Sequence, residues 1–147
     1  MNKGRFIVFE GIDGSGKSTH VKLLEQKLKT IGVKVYSTFE PTDNEIGKLL
    51  RRILSGEIKA DERTIAALFM ADRMEHLLNT TNGIIKKINE GITVICDRCY
   101  LSSVAYNCHD ESIDWAFSIN KRAQELLKPD ITIFLDASIE RAEKRTA

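Results

Sequence analysis

The chain of 147 residues is long enough for one compact domain, and its 42% hydrophobic and 29% charged residues are typical of a globular protein with a buried core. Its 22 basic and 21 acidic side chains give a formal charge of +1, which provides no global positive field for nucleic acid or an anionic membrane. No stretch approaches the ~20 apolar residues that cross a bilayer. No signal-peptide pattern precedes the first apolar segment either, so we expect a cytoplasmic protein.

Four short apolar segments alternate with helical patterns along the chain, at residues 5–10, 33–39, 92–96 and 131–135. Apolar spacings of three and four predict helices after the glycine-rich stretch at 11–16, after Asp43 or Asn44, after Asp61, around Ile84 and after Ser112. Apolar strands separated by helices indicate a parallel sheet, because each parallel connection needs a crossover. We therefore predict a single α/β domain over residues 1–147, a three-layer sandwich with a central parallel sheet covered by helices on both faces.

The first apolar segment runs directly into a loop that matches the phosphate-binding pattern known as the P-loop. Backbone N–H groups of such a loop surround phosphate oxygens, and the positive end of the following helix points at the same anion. Lys17 adds a movable positive charge, and Ser18 is placed to bind Mg²⁺ on the terminal phosphates. The predicted nucleotide-binding residues are Gly11, Ile12, Asp13, Gly14, Ser15, Gly16, Lys17, Ser18 and Thr19. The structural alternative is a glycine-rich turn that matches the pattern by chance.

Asp97 and Arg98 follow the third predicted strand and so lie at the carboxyl edge of the sheet, close to a P-loop on a neighbouring strand. Asp97 can hold Mg²⁺ through water, and Arg98 can bind the phosphate of an acceptor with two parallel hydrogen bonds. A structural salt bridge is the alternative interpretation. A guanine-binding Asn-Lys-x-Asp motif is missing, since the stretch at residues 120–123 lacks the aspartate, so a GTPase is a minor option.

Phe69 and Arg73 are four residues apart on a predicted helix and therefore share one face. The ring can stack on a pyrimidine while the guanidinium donates to a ring carbonyl, which suits a flat heterocycle with polar edges. Phe69 taken alone is more often a core residue, because its neighbours Ile65 and Leu68 are apolar.

The three cysteines allow a second kind of site to be considered. Cys96 and Cys99 form a Cys-x-x-Cys pair that is followed by Cys108 and His109. A zinc site or a redox pair is disfavoured, because Cys96 lies in a continuous strand pattern and no second ligand pair has the usual spacing. We expect reduced thiols.

Several motifs together resemble thymidylate kinase, and they occur in the order found in that family. They are the P-loop segment at residues 9–19, Phe39-Glu40-Pro41, the segments at 68–73 and 97–106, and the following strand at 129–136. The resemblance covers almost the whole chain. It implies Mg²⁺-dependent transfer of the γ-phosphoryl group of ATP to dTMP, giving dTDP and ADP. Another nucleoside monophosphate kinase, or a nucleotide-binding protein without turnover, stays open as an alternative.

The resemblance also implies a role for each matching residue. Catalytic roles fall to Lys17, Arg98, Asp97 and Asp13, with Asp13 reaching toward the sugar and phosphate of dTMP. Phe69 would stack on thymine, Arg73 would donate to its carbonyl, Ser103 would contact the ring nitrogen edge, and Tyr106 would exclude a ribose hydroxyl. The acceptor-binding set is then Phe39, Arg51, Phe69, Arg73, Arg98, Ser102, Ser103 and Tyr106, and the metal-binding set is Ser18 and Asp97.

Family members continue beyond the point that corresponds to Ala147, with a mobile lid that carries arginines and with a further strand. From the resemblance we therefore expect a kinase domain that is truncated before the lid and the final strand. Arg145 is either an adenine-side arginine or part of a solvated charged face. The resemblance further implies small-molecule substrates, ATP and dTMP, and a homodimer.

Overall fold

The computed structural model describes residues 2–107 and 112–147, and within them the chain forms four strands and seven helices. The strands are β1 (Phe6–Glu10), β2 (Val35–Phe39), β3 (Thr93–Asp97) and β4 (Ile131–Phe134). The helices are α1 (Lys17–Thr30), α2 (Glu45–Leu54), α3 (Glu62–Leu78), α4 (Ile84–Asn89), α5 (Tyr100–Tyr106), α6 (Ile113–Leu126) and α7 (Ile139–Thr146). None of the helices in this described part is long and apolar enough to cross a membrane.

The four strands form one parallel sheet in the order β2-β3-β1-β4. Phe9 of β1 lies opposite Asp97 of β3, and Phe39 of β2 lies opposite the same residue on its other side. Because the strands run in one direction, the loops that follow β1, β2 and β3 all leave from the same edge of the sheet. The predicted neighbourhood of the P-loop and the Asp97-Arg98 segment is confirmed.

Helices cover both faces of the sheet, which confirms the predicted three-layer architecture. Phe6 and Val8 of β1 pack into a buried cluster with side chains of α3, α4 and α6. Ile7 and Phe9, which point to the opposite face, pack against Val21 of α1. The alternation along β1 therefore divides the core into two clusters, one on each side of the sheet.

Side-chain caps set the helix starts that the sequence predicts. Asn44 Oδ1 accepts a hydrogen bond from the backbone N–H of Gly47 at 2.9 Å, which selects Asn44 over Asp43 as the cap of α2. Asp61 and Ser112 cap α3 and α6 in the same way. Strand β2 begins later than predicted, because the N–H of Val33 still donates to Leu28 O at the end of α1, at 3.0 Å.

Strand β4 differs from the other strands in its exposure. Ile131 is 51% exposed and Phe134 is 66% exposed, although the sequence of this strand is as apolar as that of β1. β4 lies at one edge of the sheet and pairs with β1 alone among the described strands. Its apolar sequence predicted the strand correctly but not how far it is buried.

Candidate active site

The loop between β1 and α1 has the geometry of an anion-binding site. Gly11, Gly14 and Gly16 have φ angles of 153°, 78° and 96°, which side-chain-bearing residues rarely adopt. At Gly14 the packing is an independent constraint, because a Cβ there would lie 2.4 Å from the backbone oxygen of Ala142 in α7. Helix α1 starts directly after Gly16 and has no acidic residue in its first turn, so the positive end of its dipole is free to attract a phosphate.

The P-loop side chains divide between the inside of the loop and the cavity in front of it. Lys17 is buried, and its Nζ donates to the carbonyl oxygens of Gly11 and Ile12, at 2.9 Å each. Burial, followed by the positive charge of Arg98, lowers the pKa of Lys17. Ser18 and Thr19 are exposed and line a cavity of about 790 Å³ together with Lys17. An incoming phosphate can therefore replace the two carbonyl oxygens as the partner of the ammonium group.

Asp97 lies on the wall of the same cavity, which is the larger of the two cavities that form the site. The larger cavity is lined by Asp13, Gly14, Gly16, Lys17, Ser18, Thr19, Asp97, Arg98 and Arg145, among others. Burial raises the pKa of Asp97, and the positive charge of Lys17 opposes that rise. A hydroxyl and a carboxylate facing one cavity are oxygen ligands of the kind that Mg²⁺ prefers, so Ser18 and Asp97 fit the predicted metal.

Arg98 connects the end of β3 with the P-loop. Its backbone has a φ of 73°, and its N–H donates to Phe9 O at 2.9 Å, which ties this unusual conformation to β1. Its side chain donates to Ser102 Oγ at 3.1 Å and to Asp13 Oδ1 at 2.5 Å, and its guanidinium carbon lies 5.4 Å from the ring centroid of Tyr106. The Asp13 side chain is 86% exposed, so water can take over its half of the salt bridge at little cost.

Glu10 lies within the motif at residues 9–19, but the sequence patterns indicated no role for it. Its carboxylate is buried and accepts hydrogen bonds from the N–H of Cys99 at 2.9 Å and from Ser102 Oγ at 2.5 Å. Burial raises the pKa of Glu10 in spite of these bonds. Since Ser102 also binds Arg98, Glu10 connects the start of α5 with Arg98. An acidic residue at the end of an otherwise apolar strand is the sequence feature that marks it.

A second cavity of about 420 Å³ lies beside the first. Its wall contains Phe69 and Arg73 from α3 and Ser102, Ser103 and Tyr106 from α5. The sequence therefore predicted residues that the fold brings to one place, although the two helices are separated by α4 and β3. Phe69 is half-buried against this smaller cavity and does not belong to either core cluster, which weakens the interpretation of Phe69 as a core residue.

Arg73 forms the floor of the smaller cavity and is only 2% exposed. Its Nε donates to Glu40 Oε2 at 2.8 Å, its Nη1 donates to Asn120 Oδ1 at 2.5 Å, and its Nη2 donates to Ser103 Oγ at 3.1 Å. Nη2 also lies 2.6 Å from Glu40 Oε2. The guanidinium is thus held by Glu40, which directly follows β2, and by one side chain each of α5 and α6.

Two predicted acceptor-binding residues lie elsewhere. Phe39 and Arg51 line the larger cavity, where the guanidinium carbon of Arg51 lies 5.4 Å from the ring centroid of Phe39. Arg51 donates to Thr42 O and to Asp43 Oδ1, at 2.9 Å each, and also to Pro41 O. Among the described residues that line the smaller cavity, neither Phe39 nor Arg51 is present. Their role in binding the acceptor stays a prediction.

The two cavities meet at a short junction. Asp13, Glu40, Pro41 and Arg98 line both of them, whereas Lys17 lines the larger one. Lys17 and Arg98 therefore face the same cavity, and Arg98 also faces the smaller one. This arrangement allows two anions to meet end to end, one from the P-loop side and the other from the side of α3 and α5.

The cysteine hypotheses receive little support in the described part of the chain. Cys96 and Cys99 are both buried and free, and burial raises the pKa of Cys99 to about 12. Cys108 and His109, the other two residues of the zinc hypothesis, lie outside the described residues. Cys96 and Cys99 are consistent with the expectation of reduced thiols.

Comparison with known families gives a consistent result. A family model described as thymidylate kinase matches residues 9–147. A protein of Pyrococcus horikoshii, named probable thymidylate kinase, is 42% identical, and the alignment covers 97% of this chain and 70% of the relative. A protein of Methanocaldococcus jannaschii with the same name is 45% identical, with coverage of 99% and 71%.

Solved structures agree with the sequence comparison. The crystal structure of thymidylate kinase from Ehrlichia chaffeensis superposes with a TM-score of 0.80 at 30% identity, covering 97% of this chain and 78% of that chain. The structure of thymidylate kinase from Candida albicans superposes with a TM-score of 0.76 at 26% identity, covering 99% of this chain and 68% of that chain. The fold is therefore shared with both structures over almost the whole of this chain.

Proposed function

The chain belongs to the thymidylate kinase family, and from that membership we propose that it transfers the γ-phosphoryl group of ATP to the 5′-phosphate of dTMP. An oxygen of the dTMP phosphate forms the new bond to the γ-phosphorus, and the bond to the β,γ-bridging oxygen breaks, so that dTDP and ADP are formed. The observation that supports this proposal best is the junction of the two cavities at Asp13 and Arg98.

On the donor side, the backbone N–H groups of the P-loop and Lys17 would bind the β- and γ-phosphates of ATP. Ser18 and Asp97 would hold Mg²⁺, Asp97 through a water, and the ion would neutralise negative charge on these phosphates. To bind the nucleotide, Lys17 would give up its hydrogen bonds to the carbonyl oxygens of Gly11 and Ile12. The negatively charged phosphate would offset the loss of these two bonds.

On the acceptor side, Arg98 would bind the 5′-phosphate of dTMP at the junction. Phe69 would stack on thymine, Arg73 and Ser103 would bind its polar edge, and the ring of Tyr106 would lie against the sugar. Asp13 is the partner of Arg98 without a ligand, and the acceptor phosphate would compete with it for the guanidinium. Positioning of two phosphates in line then supplies most of the catalysis.

The test measures the substrate selectivity of the purified full-length protein with ATP and Mg²⁺. The release of ADP is the readout. We expect dTMP to be phosphorylated well and CMP, UMP and AMP to be phosphorylated poorly. Changing Arg73 to Ala should reduce this selectivity before it weakens ATP binding, because Arg73 lines the smaller cavity and not the larger one. Equal use of all four acceptors would contradict the thymidylate assignment, and binding of ATP without turnover of any acceptor would favour a nucleotide-binding protein.

Two further expectations, a homodimer and a cytoplasmic location, stay predictions. Sedimentation of the purified protein at several concentrations would test the first expectation. Fractionation of cells would test the second.

A further inference from the structure

A chain of buried hydrogen bonds connects Arg73, on the wall of the smaller cavity, with residues that line neither site cavity. It leads from Thr38 through His76 and Glu40 to Arg73 and then to Asn120. All of these residues except Thr38 are at least nine-tenths buried. His76 and Asn120 line neither of the two site cavities, so they act on a ligand, if at all, through Arg73.

The contacts of Arg73 leave little freedom for its guanidinium. A guanidinium has five N–H groups. Hydrogen bonds to Glu40, Asn120 and Ser103 use three of them, and Nη2 also forms an ion pair with Glu40 Oε2. Rotating the group would break several charge-assisted bonds in a buried place, where unpaired groups are costly. Arg73, which lines the smaller cavity, is therefore held in one orientation toward a ligand there.

His76 completes the coordination of the Glu40 carboxylate. Oε2 of Glu40 is taken by Arg73, and Oε1 accepts from His76 Nδ1 at 3.0 Å. Since a carboxylate only accepts, Nδ1 carries the proton, and Nε2 shares a hydrogen bond with the hydroxyl of Thr38 at 2.7 Å. Burial raises the pKa of Glu40, but the positive charge of Arg73 and the bond to His76 outweigh it, so the pKa lies below its ordinary value. Glu40 thus stays ionised next to Arg73.

Asn120 holds the other side of the guanidinium. Its Oδ1 accepts from Arg73 Nη1 at 2.5 Å, and its Nδ2 donates to Ala116 O one turn earlier in α6, at 2.9 Å. The second bond fixes which end of the amide faces Arg73. Asn120 therefore presents an acceptor, not a donor, to the arginine.

Glu40, His76 and Cys96 could also be considered as a metal site, because their ligand atoms lie within 4.8 Å of one another. The guanidinium of Arg73 already neutralises Glu40, and both ring nitrogens of His76 have partners. A cation would have to displace an existing buried cation, so the chemistry of this group favours a support for Arg73.

We propose that His76 and Asn120 are positioning residues that set the base selectivity of the acceptor site by holding Arg73 in one orientation, His76 through Glu40 and Asn120 directly. The proposal rests on the proposed function. Thymine has a carbonyl at C4, where cytosine has an amino group. A donor in a fixed direction binds the carbonyl and is opposed by the amino group, whereas a donor that can turn away discriminates less.

Two matched pairs of variants test this inference in the full-length protein. His76→Asn keeps a donor near the position of Nδ1, whereas His76→Leu removes it. Asn120→Asp keeps the acceptor for Nη1, whereas Asn120→Leu removes it. Steady-state kinetics with dTMP and with dCMP as acceptors give the ratio of the two kcat/KM values.

We expect His76→Leu and Asn120→Leu to lower the preference for dTMP over dCMP by about tenfold, the size expected for losing a buried hydrogen bond in a charged network. The KM for dTMP should rise, while the KM for ATP should not change. His76→Asn and Asn120→Asp should retain most of the preference. A purely structural role would lower the thermal midpoint and the active fraction for both acceptors equally, and so would leave the ratio unchanged.

An unchanged dTMP to dCMP ratio in both leucine variants, with a wild-type protein that uses dTMP, would overturn the inference alone. A wild-type protein that does not phosphorylate dTMP would instead contradict the proposed function. If one leucine variant does not fold, the other pair gives the same answer, because the two residues lie on different helices and contact different atoms of the network.

Discussion

Arg73 and Arg98 are two arginines at neighbouring cavities, and they are held in opposite ways. Arg73 is 2% exposed and is bound by a buried carboxylate, an amide and a hydroxyl. Arg98 is bound by Ser102 and by a carboxylate of Asp13 that is 86% exposed. The first guanidinium is fixed before a ligand arrives, while the second can exchange its partner for another anion.

The difference corresponds to the ligand that each guanidinium is proposed to bind. Recognition of a base depends on the direction of a donor, and a buried network keeps that direction without further cost on binding. A phosphate that is about to react needs a strong charge that can stay with it as the reaction proceeds. An exposed counter-ion such as Asp13 keeps Arg98 in place without competing strongly.

The largest expected effect concerns stability at the buried arginine. Arg73→Leu leaves the Glu40 carboxylate buried without its positive partner, and we expect the free energy of unfolding to fall by about 3–5 kcal/mol. Urea denaturation followed by circular dichroism measures it. The double variant Glu40→Gln with Arg73→Leu should recover much of this loss, because no charge is then left unpaired.

Arg51→Leu is the matched control, since Arg51 is half-exposed and its carboxylate partner Asp43 lies in solvent. Its effect on the free energy of unfolding should stay below about 1 kcal/mol.

The lowered pKa of Glu40 predicts how stability depends on pH. The contribution of Glu40 to the free energy of unfolding is present above the ordinary glutamate pKa and is lost as the pH falls through the lowered value. Wild type should therefore lose more stability in acid than the double variant, and an equal loss would speak against an ionised Glu40.

The second largest effect is expected at Arg98, where a substitution should lower the activity and not the free energy of unfolding. Arg98→Lys keeps a charge but loses the two parallel hydrogen bonds, so kcat/KM for dTMP should fall by about 10²-fold. The free energy of unfolding should change by less than about 1 kcal/mol, because the ion pair is solvated on one side. A loss of stability as large as that of Arg73→Leu would remove the contrast between the two arginines.

The smallest effect is expected at Tyr106, which is 46% exposed and lies beside the Arg98 guanidinium. Tyr106→Leu removes the cation–π contact, worth about 0.5–1 kcal/mol at an exposed position, so the KM for dTMP should rise by about threefold. Tyr106→Phe keeps the ring and is the control. If the phenylalanine variant shows the same rise in KM, the hydroxyl and not the ring supports Arg98.

Features that depend on a few neighbouring residues could be predicted from the sequence. The P-loop is recognisable because one short segment contains the glycines, Lys17 and Ser18. The starts of α3 and α6 follow from Asp61 and Ser112, whose side chains bond to N–H groups two or three residues further on. The continuous apolar segment of β1 and the helical spacing that follows also indicated a parallel sheet with helices on both faces.

The partners of the charged residues could not be predicted in this way. Glu10 lies within the motif at residues 9–19, but no role was predicted for it, since its contact with Ser102 spans 92 positions. Glu40 was identified only as part of a motif, and its buried pairing with Arg73 depends on the packing of β2 against α3. Phe39 was predicted to bind the acceptor, and only the fold shows that the end of β2 places it on the wall of the larger cavity.

Local chemistry in the chain therefore specified the loop, the helix caps and the type of sheet, since each depends on residues only a few positions apart. The folded structure alone decided that Arg73 would be enclosed by groups 33 and 47 positions away, while Arg98 would meet an exposed aspartate 85 positions away. The two arginines look alike in sequence. They differ because burial and the distance to solvent, which set the strength of an ion pair, are properties of the packed molecule.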